Sequence, residues 1–312
     1  MSFQLNQTIL QSEIKIDRIT ICTNEPNHEF AQASIKHLMH TNFIEELSGI
    51  KVRPGSRYVI DVKLDFPLGL LSNHSPLKGK TSVAKAFFQA GPKAPGVPTY
   101  RLELNPSNFE PHDWIELEAF IASSTNFEWQ TFVWKGKITR LDLAIDMPGR
   151  QLSELLFGSS RKQKHGVYGD RNSYPETQYF GASNRSRVVV YDKQKPPKKK
   201  PLLRLERRLY PAVFGADLIA LKNPFCGIRA WHVSILDCLP PSPYKQQIED
   251  SLRLRGINRG LSELPKPDRN ILRKALKSQG SADAEFEALW EDWPKVLDQY
   301  NIVLLKPKYI HL

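Results

Sequence analysis

The stretch Ile138–Asp146, ITRLDLAID, alternates between polar and apolar residues. In a strand, successive side chains point to opposite faces. Arg140, Asp142, Ala144 and Asp146 therefore share one face, and Leu141, Leu143 and Ile145 share the other. The leucine–isoleucine face is a core face. The opposite face gathers two carboxylates and a guanidinium around a small alanine. A solvated sheet surface can look like this, and so can a surface that holds a hard divalent cation, which prefers oxygen ligands.

Two segments downstream extend the pattern. In RVVVYDK (187–193), Arg187, Val189, Tyr191 and Lys193 share a face. A strand tyrosine usually packs. A cation beside a phenol also stabilises the phenolate, and a nucleophilic tyrosine must lose its proton. In LRLERRL (203–209), Arg204, Glu206 and Arg208 share a face opposite Leu203, Leu205, Arg207 and Leu209. Glu206 sits in a strongly basic stretch, where it serves either a salt bridge or a metal ion. YRLEL (100–104) repeats the arrangement with Arg101 and Glu103 on one face.

Strands are also expected at Arg18–Cys22, Tyr58–Phe66 and Thr177–Gly181, with another at Glu128–Trp134. The Pro/Gly-rich AGPKAPGVP (90–98) reads as a loop or hairpin tip, and ASNRS (182–186) as a turn. His112–Ser123 has helical spacing at Trp114, Leu117, Phe120 and Ile121, and Gln151–Phe157 reads as a short helix. The stretch 159–175 is polar and turn-rich. From residue 244 onward the pattern turns helical, in KQQIEDSLRLRG, PDRNILRKALKSQG and DAEFEALWEDWPKVLDQY. The expected fold is α+β: an antiparallel-sheet domain with flanking helices over 1–240, then a helical segment over 241–312, with the break near PPSPYK.

Among the 312 residues, 44 are Lys or Arg and 33 are Asp or Glu, a net charge of +11 that favours a polyanionic partner. The three cysteines, Cys22, Cys226 and Cys238, form no CxxC pair, so neither a zinc site nor a disulfide framework is indicated. No apolar run approaches the ~18–20 residues that cross a bilayer. The polar, acidic start MSFQLNQTILQSEIKID lacks a signal peptide's apolar core, so a cytoplasmic protein is expected.

In this order, ITRLDLAID, TQYFGASNRSRVVVYDK and LLRLERRL resemble the replication initiation factor family, the rolling-circle initiators of plasmids and filamentous phages with related relaxases. The resemblance covers roughly 138–210, and YRLELNP (100–106) extends it upstream. One departure is Ala182, where the family often carries a serine after the glycine of the turn. The resemblance implies a metal-dependent enzyme that nicks and rejoins single-stranded DNA at an origin through a 5′-phosphotyrosine. Carried over, Tyr191 is the nucleophile, and Asp142 and Glu206 are ligands of Mg²⁺ or Mn²⁺, with Asp146 or Glu103 completing the set. A second family of such initiators binds metal through a His-hydrophobic-His pair, which none of the eight histidines here forms.

In this reading Lys193, Arg140 and Arg204 hold phosphate or lower the tyrosine pKa, and Arg187 belongs to the same DNA-binding surface. The loop residues Lys195, Lys198, Lys199 and Lys200 contact phosphate or are simply solvated. Trp129, Trp134 and Tyr179 serve either core packing or stacking on unpaired bases. The basic stretch 252–277 suits duplex origin DNA, and the acidic 283–298 suits folding back or a partner helicase. A non-catalytic origin-binding or regulatory DNA-binding protein explains the charge equally well but leaves Tyr191 without a use.

Overall fold

In the computed structural model, residues 12–25, 27–40, 50–68, 84–159, 165–168, 177–181, 187–194, 200–278 and 283–303 are described. In chain order the strands and helices are β1 (Glu13–Thr23), α1 (His28–His40), β2 (Ile50–Pro54), β3 (Tyr58–Asp65), β4 (Lys85–Pro92), β5 (Tyr100–Leu104), α2 (Pro111–Ser124), α3 (Trp129–Lys135), β6 (Lys137–Pro148), β7 (Leu155–Ser159), β8 (His165–Tyr168), β9 (Thr177–Phe180), β10 (Val188–Gln194), β11 (Leu202–Leu209), β12 (Val213–Phe214), β13 (Ile228–His232), α4 (Lys245–Arg255), α5 (Ile257–Glu263), α6 (Lys266–Ser278), α7 (Asp283–Glu291) and α8 (Trp293–Gln299). Antiparallel strands with flanking helices make this an α+β fold, as the alternation predicts. Among the described residues no helix is long and apolar enough to cross a membrane.

The chain divides into two compact units, each assembled from separate stretches. The first comprises Met1–Lys15, Leu143–Leu209 and Lys222–Trp293, and the second comprises Ile16–Asp142, Tyr210–Leu221 and Pro294–Leu312. The Pro-rich stretch 240–245 falls inside the first unit.

In the second unit the strands follow the order β2-β3-β4-β5-β1-β6. The pairs β2·β3, β3·β4, β4·β5 and β5·β1 are antiparallel. Alternation places Ile60, Val62, Leu64, Phe88 and Leu102 in the core. Helix α2 covers them with Trp114, Leu117, Phe120 and Ile121, all buried at helical spacing. Phe120 meets Phe88 edge-on, ring centroids 5.4 Å apart. Pro111 at the first helical position and the Glu110 N–H donating to Asp113 (2.9 Å) fix where α2 starts.

The strand expected at Glu128–Trp134 is instead helix α3. Its aromatic and β-branched residues favour a strand locally. However, Trp129, Phe132 and Val133 recur at i, i+3 and i+4, and all three are buried. Burial of that face outweighs local propensity. Similarly, only Leu152–Glu154 of the expected helix Gln151–Phe157 is helical, as one 3-10 turn, and the chain then enters β7.

In the first unit β6 is followed by β11-β10-β9-β8. The expected pair β9·β10 and its neighbour β10·β11 are antiparallel. The ASNRS turn lies outside the described residues. Strand β8, inside the polar stretch 159–175, was not expected. A second small sheet pairs β7 with β13. Against it pack α4, α5 and α6 through Leu156, Trp231, Leu236, Leu252, Leu261, Leu272 and Leu276, all buried. Helix α5 was also not expected, since its seven residues INRGLSE carry too little periodicity.

Candidate functional site

Register places the key residues of the first unit in two rows across four strands. Tyr168, Thr177, Tyr191 and Arg204 are successive cross-strand partners. The next row is Gly166, Tyr179, Val189 and Glu206. Cross-strand partners share a face, so Tyr168, Tyr179, Tyr191, Arg204 and Glu206 lie on one surface. The opposite surface carries Val188, Val190, Leu203 and Leu205, all buried.

On this surface the half-buried Tyr191 donates its hydroxyl hydrogen to Glu206 Oε2 at 3.1 Å. Beside it lies a buried ion pair. Arg204 Nε and Nη2 donate to the two carboxylate oxygens of Asp146, at 2.6 and 2.8 Å. Lys193 Nζ lies 3.7 Å and Lys15 Nζ 3.6 Å from Asp146 Oδ2. Burial pushes the Asp146 carboxyl up, but the Arg204 hydrogen bonds and the charges of Arg204, Lys193 and Lys15 outweigh it and hold the group below the usual carboxylate range. Lys193 sits at an irregularity in β10, where the register shifts between Asp192 and Gln194. Asp192, the middle residue of the YDK motif, accepts a hydrogen bond from the Leu152 N–H at 2.7 Å and so ties the end of β10 to the 3-10 turn before β7.

Arg187 packs its guanidinium carbon 4.7 Å from the centre of the Tyr179 ring. Its Nε hydrogen is buried without an acceptor among the described residues. Lys200 is exposed at the start of the chain entering β11. Lys195, Lys198 and Lys199 lie outside the described residues.

The remaining expected site residues belong to the second unit. Arg140 Nε and Nη2 donate to both oxygens of Asp142, at 3.0 and 2.6 Å. Those bonds, against the opposing effect of burial, raise the Arg140 pKa, with Asp142 and Glu103 adding attraction. Glu103 accepts from Arg18 at 3.1 Å, from Thr20 at 3.4 Å and from Arg101. Trp129 is a core residue whose indole N–H donates to the Asn301 carbonyl at 2.6 Å, while Trp134 is exposed.

The four carboxylates expected to ligate a metal are thus engaged elsewhere: Asp142 and Asp146 by guanidinium pairs, Glu103 by Arg18 and Arg101, and Glu206 by the phenol. Among the described residues no three His, Cys, Asp or Glu side chains converge as ligands of one ion.

One participant escaped the sequence reading: Lys15, a lone lysine in EIKID with no motif to mark it. Tyr168 is 69% exposed on β8, a strand too short to show alternation.

No protein-family profile matches the chain. It is similar to a replication initiation protein of Staphylococcus aureus, with 24% identity over 189 residues. That similarity spans 60% of this chain and 55% of the relative, so the chain matches about half of the relative's length.

Proposed function

We propose that the chain acts in the initiation of DNA replication, in the rolling-circle manner, by cutting one strand with Tyr191 and keeping its 5′ end as a phosphotyrosine. The observation that carries this reading is the Tyr191–Glu206 hydrogen bond, 3.1 Å, on a surface that also presents Lys15, Lys193, Arg187 and Arg204. Cations around a phenol favour its ionised form and attract a phosphodiester. The similarity to a replication initiation protein supports the same process at a coarser level.

In this reading Lys193 and Arg187 meet phosphate oxygens, and charge complementary to the phosphate lowers the barrier as negative charge builds on it. Arg204 stays on Asp146 and keeps that cluster in place. Tyr191 attacks phosphorus in line and the 3′ oxygen departs. The phosphotyrosine conserves the bond, so the reverse reaction rejoins the strand. Single-stranded or extruded DNA is the fitting substrate, because a duplex holds its phosphodiester away from a sheet-borne nucleophile.

The test uses the full chain with single-stranded oligonucleotides tiled across its own gene and flanking sequence, in Mn²⁺, Mg²⁺ or EDTA. A protein–DNA adduct that survives denaturation and disappears in Tyr191→Phe is expected. An adduct that persists in Tyr191→Phe moves the nucleophile to Tyr168 or Tyr179, since both share the face, or to Tyr174 beyond the described residues. Tight binding without an adduct in any arm replaces the cutting role with origin binding.

A further inference from the structure

We propose that Glu206 is the proton acceptor for Tyr191: a catalytic base rather than a metal ligand or a structural salt-bridge partner. This inference rests on the tyrosine-nucleophile reading above. Three observations lead to it. The phenol hydroxyl already donates to Glu206 Oε2 at 3.1 Å, within the reach a general base needs. The other nearby carboxylate, Asp146, has both oxygens bonded by Arg204 and two lysines beside it, so it is a poor base. The cations on this face, Lys193, Lys15, Arg187 and Arg204, have no lone pair to offer as proton acceptors.

Register makes the contact a consequence of the sheet. Val189 is the direct partner of Glu206, and Tyr191 is the direct partner of Arg204. The tyrosine therefore reaches Glu206 on the diagonal, two residues along, a separation of roughly 7–8 Å between backbones that a tyrosine side chain spans. Placed directly opposite the phenol, the carboxylate would lie beside the ring instead of at its hydroxyl.

The step balances as follows. The Tyr191 O–H bond breaks, and its proton passes to Glu206 Oε2. The phenolic oxygen forms its bond to phosphorus, the P–O3′ bond breaks, and the 3′ oxygen leaves with the electron pair and takes a proton from solvent. In rejoining, the 3′ hydroxyl gives its proton to solvent as its oxygen bonds to phosphorus, the Tyr191–P bond breaks, and protonated Glu206 returns its proton to the phenolic oxygen. A carboxylate beside a phosphodiester is otherwise repulsive. Taking the proton neutralises Glu206 as the phosphorane gains charge, so the repulsion falls in the transition state and not before it.

The experiment measures the initial rate of adduct formation against pH for the native chain, Glu206→Gln and Glu206→Asp, each at several Mn²⁺ concentrations and in EDTA. Gln keeps an accepting oxygen but no basicity. The native rate should be level from pH 6 to 9. Glu206→Gln should be slower by about 100-fold or more at pH 7. Its rate should then climb roughly tenfold per pH unit toward the ordinary phenol value near 10, as the tyrosine ionises unaided. Glu206→Asp keeps the base on a shorter arm and should show a lowered but level profile, which preserves the test should the Gln variant fail to fold. A Glu206→Gln profile parallel to the native one overturns the proposal, and so does full recovery by added Mn²⁺, which would mark a metal ligand. If the native chain itself forms no adduct, the nucleophile reading fails first. If Tyr191→Phe is inactive and Glu206→Gln is unimpaired, only the base assignment fails.

Discussion

Arg204 grips Asp146 through two parallel hydrogen bonds, 2.6 and 2.8 Å, and both side chains are about 95% removed from solvent. A buried pair is costly to break from one side, because the remaining charge is left without its partner. Arg204→Ala should therefore destabilise the fold by about 3–5 kcal/mol, read from urea unfolding at neutral pH. The Asp146 carboxyl sits below its ordinary value, so its contribution to stability is present above the unfolded-state value of about 4. That contribution is lost as the pH falls through the lowered folded value. The native chain should lose stability in acid, and Asp146→Asn should lose less over the same range. An unchanged acid slope in that variant would place the acid sensitivity elsewhere.

Arg253 deserves the same test for a different reason. Its buried guanidinium donates to the carbonyls of Leu152 and Leu155, both at 2.9 Å, and to that of Ser153, and it pairs with Glu249 at 2.8 Å. One side chain thus fastens α4 to the turn that begins β7. Arg253→Met keeps much of the volume and takes a donor from each of three carbonyls, of which that of Leu152 keeps the Leu155 N–H. A loss of about 3 kcal/mol or more is expected from the chemical denaturation midpoint, with Arg253→Lys recovering little because an ammonium lacks the planar fork. A loss under about 1 kcal/mol in Arg253→Met would mean that water satisfies those carbonyls.

The strands were legible where alternation ran long enough. β5 covers YRLEL (100–104) residue for residue, and Leu141, Leu143 and Ile145 lie in the core that the pattern assigned. Legibility failed where local propensity and long-range burial disagreed, as in α3. It also failed where an element was only four to seven residues long, as in β8 and α5. At the site, the sequence supplied the face of Tyr191 and Glu206, because a two-residue period settles faces. It could not supply pairing partners. That Asp142 turns to Arg140, two residues away on the same strand, is an i,i+2 relationship readable in principle. That Asp146 turns to Arg204, 58 residues away, depends on which strands become neighbours.

Gly215 shows how tightly the second unit closes on α3. A Cβ built there would lie 2.1 Å from the Val133 carbonyl oxygen, and the Gly215 N–H donates to Gly136 O at 2.9 Å. Backbone, not a flexible side chain, would have to move. Gly215→Ala should cost about 1–3 kcal/mol, measured as a lowered denaturation midpoint. An unchanged midpoint would mean that the Gly215–Ala220 turn shifts without cost.

Tyr168 and Arg187 should divide single-strand affinity between stacking and charge. Tyr168 is 69% exposed, in the same cross-strand row as Tyr191, and so offers a ring face beside Tyr191. A base stacked on an aromatic ring contributes about 1–3 kcal/mol, largely independent of salt. Tyr168→Ala should therefore weaken oligonucleotide binding about equally at low and high salt, in fluorescence anisotropy titrations. Arg187 acts through charge, and each phosphate neutralised on a single strand contributes about 0.7 to the slope of log affinity against log salt. Arg187→Gln should lower that slope by roughly this amount and bind nearly as well as the native chain once salt is high. If both variants change the slope equally, Tyr168 acts through the position of a nearby cation and not as a stacking platform.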